Sequence, residues 1–360
     1  MIDGIPVIDA VIHAYNLAQS NYAGAYADVI SELVYGSVAA NAPADMVPAK
    51  QDYLQDWSIE ETASMVFVES DADIAVHHVL PIYAFRDGLC SLEKTLEARQ
   101  KWPHRILAYC GVDPMMGSRA MEEMERQVEV LSPVGLKLYP NSWLSDEVHG
   151  WKMDDPEIAF PFFERAQVLG LKVVAVHKAL PLGPVPMEHY RVDDIDRAAA
   201  AFPGLNFEIV HGGMAFLEET AWQLGRFPNV WVNLEVTTSL LGKRPKAFQQ
   251  AIAALMSVAG DAALDRICWG TGAMAFHPQP LLEAFVRTFR FDDELLEISG
   301  LSQITEHGKR KVLAENYARM IGLDLPSALA AIKDDEFALR RGDGGPAAAF
   351  STTHAASHVG

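Results

Sequence analysis

Histidines and one glutamate recur in this chain where they could build a metal site. His13 closes the apolar run 7–12, and His77 and His78 close the run 72–76. His177 closes 171–176, His211 closes 206–210, and Glu235 sits within Val230-Trp231-Val232-Asn233-Leu234-Glu235-Val236. A single buried histidine is more often a hydrogen-bonded core residue than a ligand. Recurrence at the same end of successive strand-like runs shifts that balance, because His104, His189 and His307 are scattered by comparison. Imidazole and carboxylate without thiolate suit zinc, iron, manganese or nickel rather than a structural zinc site.

Each candidate carries an alternative. Adjacent residues on a strand face opposite sides, so only one of His77 and His78 enters a shared interior; His78, nearer the carboxyl end, is the choice. Period-two spacing places Asp9, Val11 and His13 on one face. Asp9 is then a ligand, or an acceptor that holds a ligand histidine in one tautomer. Lys137 could carry a bridging carbamate, position an acidic substrate, or pair with Asp9. Glu208 is expected to face the helix layer. Glu235 shares a face with Asn233 and Trp231, and a buried carboxylate there needs a metal or a lysine.

The elements that must position these groups follow a regular alternation. Strand-like runs near residues 7–13, 72–81, 105–112, 134–139, 171–177, 206–211, 230–236 and 266–270 are separated by helical patterns. The sequence Ser58-Ile59-Glu60-Glu61 carries a helix-capping signal. Eight short, nearly continuous apolar strands imply a parallel sheet covered by helices, and the count favours a closed (β/α)₈ TIM barrel. A single catalytic domain is expected over residues 1–338. Residues 19–57 form an inserted segment, a rim flap or a substrate-covering lid. The stretch 305–321 reads as a final helix across the barrel exterior. Residues 339–360 lack apolar periodicity and read as a disordered tail, with His354 and His358 exposed.

Composition narrows the partners. Lys and Arg number 29 against 48 Asp and Glu, a net charge of −19, which disfavours nucleic acid and anionic membranes. No uninterrupted apolar stretch of about 18 residues and no basic-then-apolar leader is present. Three widely spaced cysteines, Cys90, Cys110 and Cys268, fit a reducing compartment. The expectation is a cytoplasmic protein with a small-molecule substrate.

The motifs resemble the amidohydrolase superfamily, in its amidohydrolase-2 or amidohydrolase-related branch. The likeness rests on Ile8-Asp9-Ala10, on Gly135-Leu136-Lys137-Leu138-Tyr139-Pro140, and on His177 and His211. It rests also on Gly270-Thr271-Gly272 and on the stretch from Lys311 to Leu323. Two departures stand out. The family's first strand usually carries His-x-His, and Val11 occupies the first of those positions. Its eighth strand usually ends in an aspartate that binds metal and accepts a proton, and Gly272 occupies that place. The strand-two histidine and Glu235 could restore the missing ligands. This altered pattern is similar to the TIM-barrel non-haem di-iron monooxygenases of platensimycin and platencin biosynthesis, which hydroxylate a diterpenoid intermediate.

The resemblance implies a metal-dependent oxidoreductase, a monooxygenase of secondary metabolism, with two irons, dioxygen, an electron donor and a bulky apolar terpenoid substrate. His13, His78, His177, His211 and Glu235 would be the ligands, with Glu235, Lys137 and Asp9 taking the catalytic roles. The alternative is a hydrolase or non-oxidative decarboxylase with one zinc or manganese, in which His277 acts as acid or base. A barrel that has lost its metal and only binds a ligand comes third. A homodimer is compatible with the family.

Overall fold

A computed structural model describes residues 1–144 and 148–353. Short runs rich in Val, Ile and Ala pack on both faces and give eight parallel strands in sequential order. They are β1 (Ile8–Ile12), β2 (Ile74–His78), β3 (Ile106–Gly111), β4 (Gly135–Leu138), β5 (Val173–His177), β6 (Asn206–Val210), β7 (Val230–Asn233) and β8 (Ile267–Cys268). A helix follows each strand, from Ile59–Phe67 after β1 to Pro278–Glu283 after β8. Backbone hydrogen bonds from Ala10 to Trp269, from Gly272 to Val11 and from His13 to Ala273 join β1 to the β8 end. This is the expected (β/α)₈ barrel.

The barrel interior is a distinct cluster containing Ile8, Ala10, Ile74, Val76, Tyr109, Val173, Ala175, Val210, Trp231 and Cys268. Alternate residues of the same strands pack outward against the helices. Gly135 is needed here, because a Cβ would come within 2.7 Å of the Tyr109 ring. The closing helical stretch from Glu306 to Ile321 packs outside the barrel through Val312 and Leu313, as expected, but its end turns to the interior. Tyr317, Met320 and Ile321 join the interior cluster, and the Tyr317 hydroxyl donates to that of Tyr109 at 2.8 Å. The apolar periodicity was legible, but not which barrel surface its end would meet.

The inserted segment is helical, with α1 spanning Ala25–Asn41 and a short helix Lys50–Tyr53. Tyr53 and Trp57 are buried and anchor its end. The Ser58 cap is present as a full capping box with Glu61. Beyond the barrel, residues 339–353 pack rather than trail away. A helix spans Glu336–Arg341, and Phe350 is buried with its ring 5.2 Å from that of His277. The buried Glu69 carboxylate accepts from the Phe350 and Thr352 amides and the Thr352 hydroxyl, at 2.6–2.7 Å. Composition alone hid this contact, because a single aromatic and one distant carboxylate supply it. His354 and His358 lie outside the described residues. No single helix among the described residues is long and apolar enough to cross a membrane.

Candidate functional site

The carboxyl ends of the strands open onto a cavity of about 410 Å³, lined in part by His13, Tyr15, Tyr139, His177, His211 and Glu235. Strand phase explains who arrives there. In β1 the register to β2 changes between Asp9 and Ile12, from Asp9↔Ala75 to Ile12↔His77. One extra residue, a β-bulge, therefore separates Asp9 from His13. Asp9 aligns with outward-packed Ala75, whereas His13 lines the cavity. The expectation that Asp9 and His13 share a face fails because strict alternation does not survive a bulge.

Asp9 instead ties the barrel seam. Its oxygens accept from the Thr271 amide at 2.9 Å, the Thr271 hydroxyl and the Val11 amide. Burial pushes its carboxyl up to about 7, with these hydrogen bonds opposing the rise. Its oxygens are engaged, so no free donor is directed at the cavity, and the Asp9–Lys137 pair is not formed. Lys137 is buried beside Ala175 of the interior, and its ammonium makes no hydrogen bond to a described residue. Burial lowers its pKa, and the charges of Glu235 and Glu208 oppose that. Glu208 also faces the interior, contrary to expectation, accepting from Tyr109 at 2.9 Å and Asn233 at 2.6 Å. Those two partners satisfy a carboxylate that the apolar layer could not hold alone.

The strand-two histidines separate cleanly. His77 Nε2 accepts from the Ala14 amide at 3.1 Å, and Nδ1 donates to the Thr95 hydroxyl at 2.9 Å. His77 is thus a satisfied histidine on the helix side. His78 stacks on Tyr109 and donates from Nε2 to the Ala10 carbonyl at 2.9 Å. Its Nδ1 lone pair is buried without a partner.

His177 and His211 come from the next two strand ends. His177 donates from Nε2 to the Leu180 carbonyl at 2.8 Å, which leaves Nδ1 to accept from His211 Nε2 at 2.9 Å. This chain of donors makes His211 Nδ1 a bare acceptor. Val210 already points inward, so His211 reaches the cavity only through a backbone with φ of 74°. Ala179 and Val236 also have positive φ, so three neighbouring strand ends carry strained backbone at the cavity rim.

Glu235 completes the group. Its amide is held by Asn233 Oδ1 at 2.9 Å, as shared-face spacing suggests. Its Oε1 lies 3.8 Å from His13 Nε2, and its Oε2 lies 3.2 Å from His211 Nδ1. Burial would raise its pKa, yet His211, His13 and Lys137 bring it down to about 2. Burial lowers His211 to about 4 and also depresses His13, His78 and His177. At neutral pH the arrangement is an anionic carboxylate among neutral imidazoles. A Cβ on Gly272 would stand 2.7 Å from Glu235 Oε1, so the glutamate carboxylate fills the space a side chain at 272 would enter.

His211 Nδ1 and Glu235 Oε2 are both acceptors, both buried, and both without a hydrogen-bond partner. Two such atoms 3.2 Å apart repel unless a proton or cation lies between them. Zinc-like ions bind nitrogen and oxygen at about 2.0–2.2 Å, and two such bonds at right angles span about 3 Å. The donors therefore fit a divalent metal. Among the described residues, no three His, Cys, Asp or Glu side chains already converge on one metal position. His177 in particular has both nitrogens occupied and would have to release His211 to become a ligand. His277 does not line this cavity: its Nε2 meets Glu69 at 3.0 Å and its Nδ1 accepts from the Gln279 amide.

Sequence reasoning missed Tyr15 and Tyr139, two residues beyond His13 and Lys137; that spacing was the available signal. A family model described as amidohydrolase matches residues 82–323. The chain belongs to the amidohydrolase family. Solved structures agree on the fold of this amidohydrolase. A TIM-barrel protein from Bordetella bronchiseptica is 17% identical with a TM-score of 0.60, covering 88% of this chain and 99% of that one. A 5-carboxyvanillate decarboxylase from Novosphingobium aromaticivorans, with bound manganese, is 14% identical at a TM-score of 0.58, covering 89% and 98%. A 2,6-dihydroxybenzoate decarboxylase from Rhizobium is 16% identical at 0.52, covering 89% and 99%. A comparison with curated proteins found no match.

Proposed function

We propose that this amidohydrolase-family chain is a metal-dependent enzyme acting on a small, largely apolar molecule. His13, His78, His211 and Glu235 are the donors that would hold the metal, with His177 orienting His211. The observation that carries this reading is the 3.2 Å approach of His211 Nδ1 to Glu235 Oε2, both buried and without a hydrogen-bond partner. Bound there, a metal ion would supply Lewis acidity or, as iron, dioxygen chemistry.

The reaction class follows from which proton acceptors the site keeps. A general base works best with a pKa near the operating pH. Glu235, at about 2, is a poor one, Gly272 offers none, and Asp9 and His277 are engaged elsewhere. We infer iron-dependent monooxygenation as the first reading, since iron and dioxygen do not need a water-activating aspartate. Two irons and an electron donor belong to that reading. The apolar wall of Leu33, Val34, Leu180, Leu182 and Phe276 supports a bulky apolar substrate, and a terpenoid is one such class. A zinc- or manganese-dependent decarboxylase or hydrolase is the second reading, favoured by the fold shared with decarboxylases that include one with bound manganese.

Elemental analysis of protein purified without added metal tests the common premise. Iron with substrate-dependent dioxygen uptake supports the first reading, and manganese or zinc with anaerobic turnover supports the second. A metal-free, fully folded protein that takes up no divalent ion would falsify both. Glu235→Gln should lose most of its metal and turnover, with circular dichroism unchanged.

A further inference from the structure

Tyr15 and Tyr139 both line the cavity and are each only 7% exposed. The Tyr15 ring stacks on His13 at 5.1 Å, and the Tyr139 ring stacks on His177 at 4.6 Å. Neither hydroxyl hydrogen-bonds to a described residue. With no partner among the described residues, each hydroxyl is left to whatever occupies the cavity that its residue lines. No Lys or Arg side chain lines this cavity. Lys137, 5.4 Å from the Tyr139 ring centroid, is not among the lining residues.

We propose that Tyr15 and Tyr139 form a specificity pair whose hydroxyls donate to a neutral oxygen acceptor, a carbonyl or ether, on an otherwise apolar substrate. This deepens the functional reading above by naming the polar feature its substrate carries. A phenol keeps its proton near neutral pH and can donate. A carboxylate placed against the same two hydroxyls would find no lysine or arginine among the lining residues, so its desolvation would be offset by the proposed metal alone, which chelation removes. A pure hydrocarbon would leave both donors unpaired. Discrimination of this kind is strong, because a site built to hydrogen-bond one group is left with unpaired donors when the group is missing.

The test uses three probes of one shape on the full chain: 1-tetralone, tetralin and 1,2,3,4-tetrahydro-1-naphthoate. Binding is measured by calorimetry, on protein as purified and after chelator treatment. Tetralone should bind more tightly than tetralin, and Tyr15→Phe or Tyr139→Phe should each weaken tetralone by about three- to tenfold. Tetralin should bind at least as tightly in both variants, because each removes a donor that the hydrocarbon leaves unpaired, and circular dichroism reports that the fold is kept. The proposal is overturned by a tetralone-to-tetralin ratio that the Phe variants do not move. It is overturned equally by a preference for the carboxylate that survives chelation, or by no binding of any probe to folded protein. Because binding is read without turnover, a failure of the metal reading would show in the elemental analysis and leave this result intact.

Discussion

Glu235 and Gly272 occupy one volume between them, and that sets the first prediction. Gly272→Asp places a side chain against Glu235 Oε1 on a backbone with φ of 70°. The expected cost is roughly 2–4 kcal/mol in denaturant unfolding, from strain and overpacking together. Adding Glu235→Ala should recover part of it, because residues in contact are not additive. Full additivity of the two changes would show that the side chains do not meet. Asp9 gives a pH prediction. Its folded pKa is raised to about 7, so between about pH 4 and 7 the native state holds a proton that the unfolded chain has released. Its contribution is therefore complete below the unfolded value and lost as pH rises through the folded one. Asp9→Asn should remove that loss, and the melting temperature of the wild type relative to the variant should fall between about pH 4.5 and 7.5. A difference that is flat with pH would mean that Asp9 is ionised in the folded protein.

Among the elements, the segment from 346 to 353 makes the clearest demand. Truncation after residue 345 removes the buried Phe350 and leaves Glu69 with only His277 of its four hydrogen bonds. Loss of a buried phenylalanine costs about 3–5 kcal/mol in a full core, and the stranded carboxylate adds to that. The melting temperature should drop by several degrees. Phe350→Ala alone should reproduce most of the change, and an unchanged melt would mean that the segment does not dock. The eight strands were legible because continuous Val, Ile and Ala runs are hard to read any other way. Glu235 and His78 were legible too, as polar groups at strand ends. The β1 bulge and the left-handed turn at His211 were not, since both break the alternation on which facing is judged. Glu208 was misplaced because its satisfying partners, Tyr109 and Asn233, come from other strands.

Across the whole molecule, the metal proposal becomes a question of linkage. A ligand that binds only the folded state stabilises it by about 2.7 kcal/mol at a hundredfold excess over its dissociation constant. Adding ferrous or manganous ion to chelator-treated protein should raise the melting temperature, and Glu235→Gln should abolish the rise. An equal rise in that variant would place the metal elsewhere. The barrel frame was readable because its periodicity repeats; its interior chemistry was not, because that depends on which residues meet across the barrel. The bulge in β1 then has a consequence for engineering and for alignment alike. Deleting one residue between Ala10 and Ile12 would restore an ideal strand and turn His13 out of the barrel. Every polar side chain of the cavity would still be encoded, yet the site would be gone. An alignment scored on residue identity would count that deletion as trivial, so relatives of this chain are better compared by counting residues along the first strand.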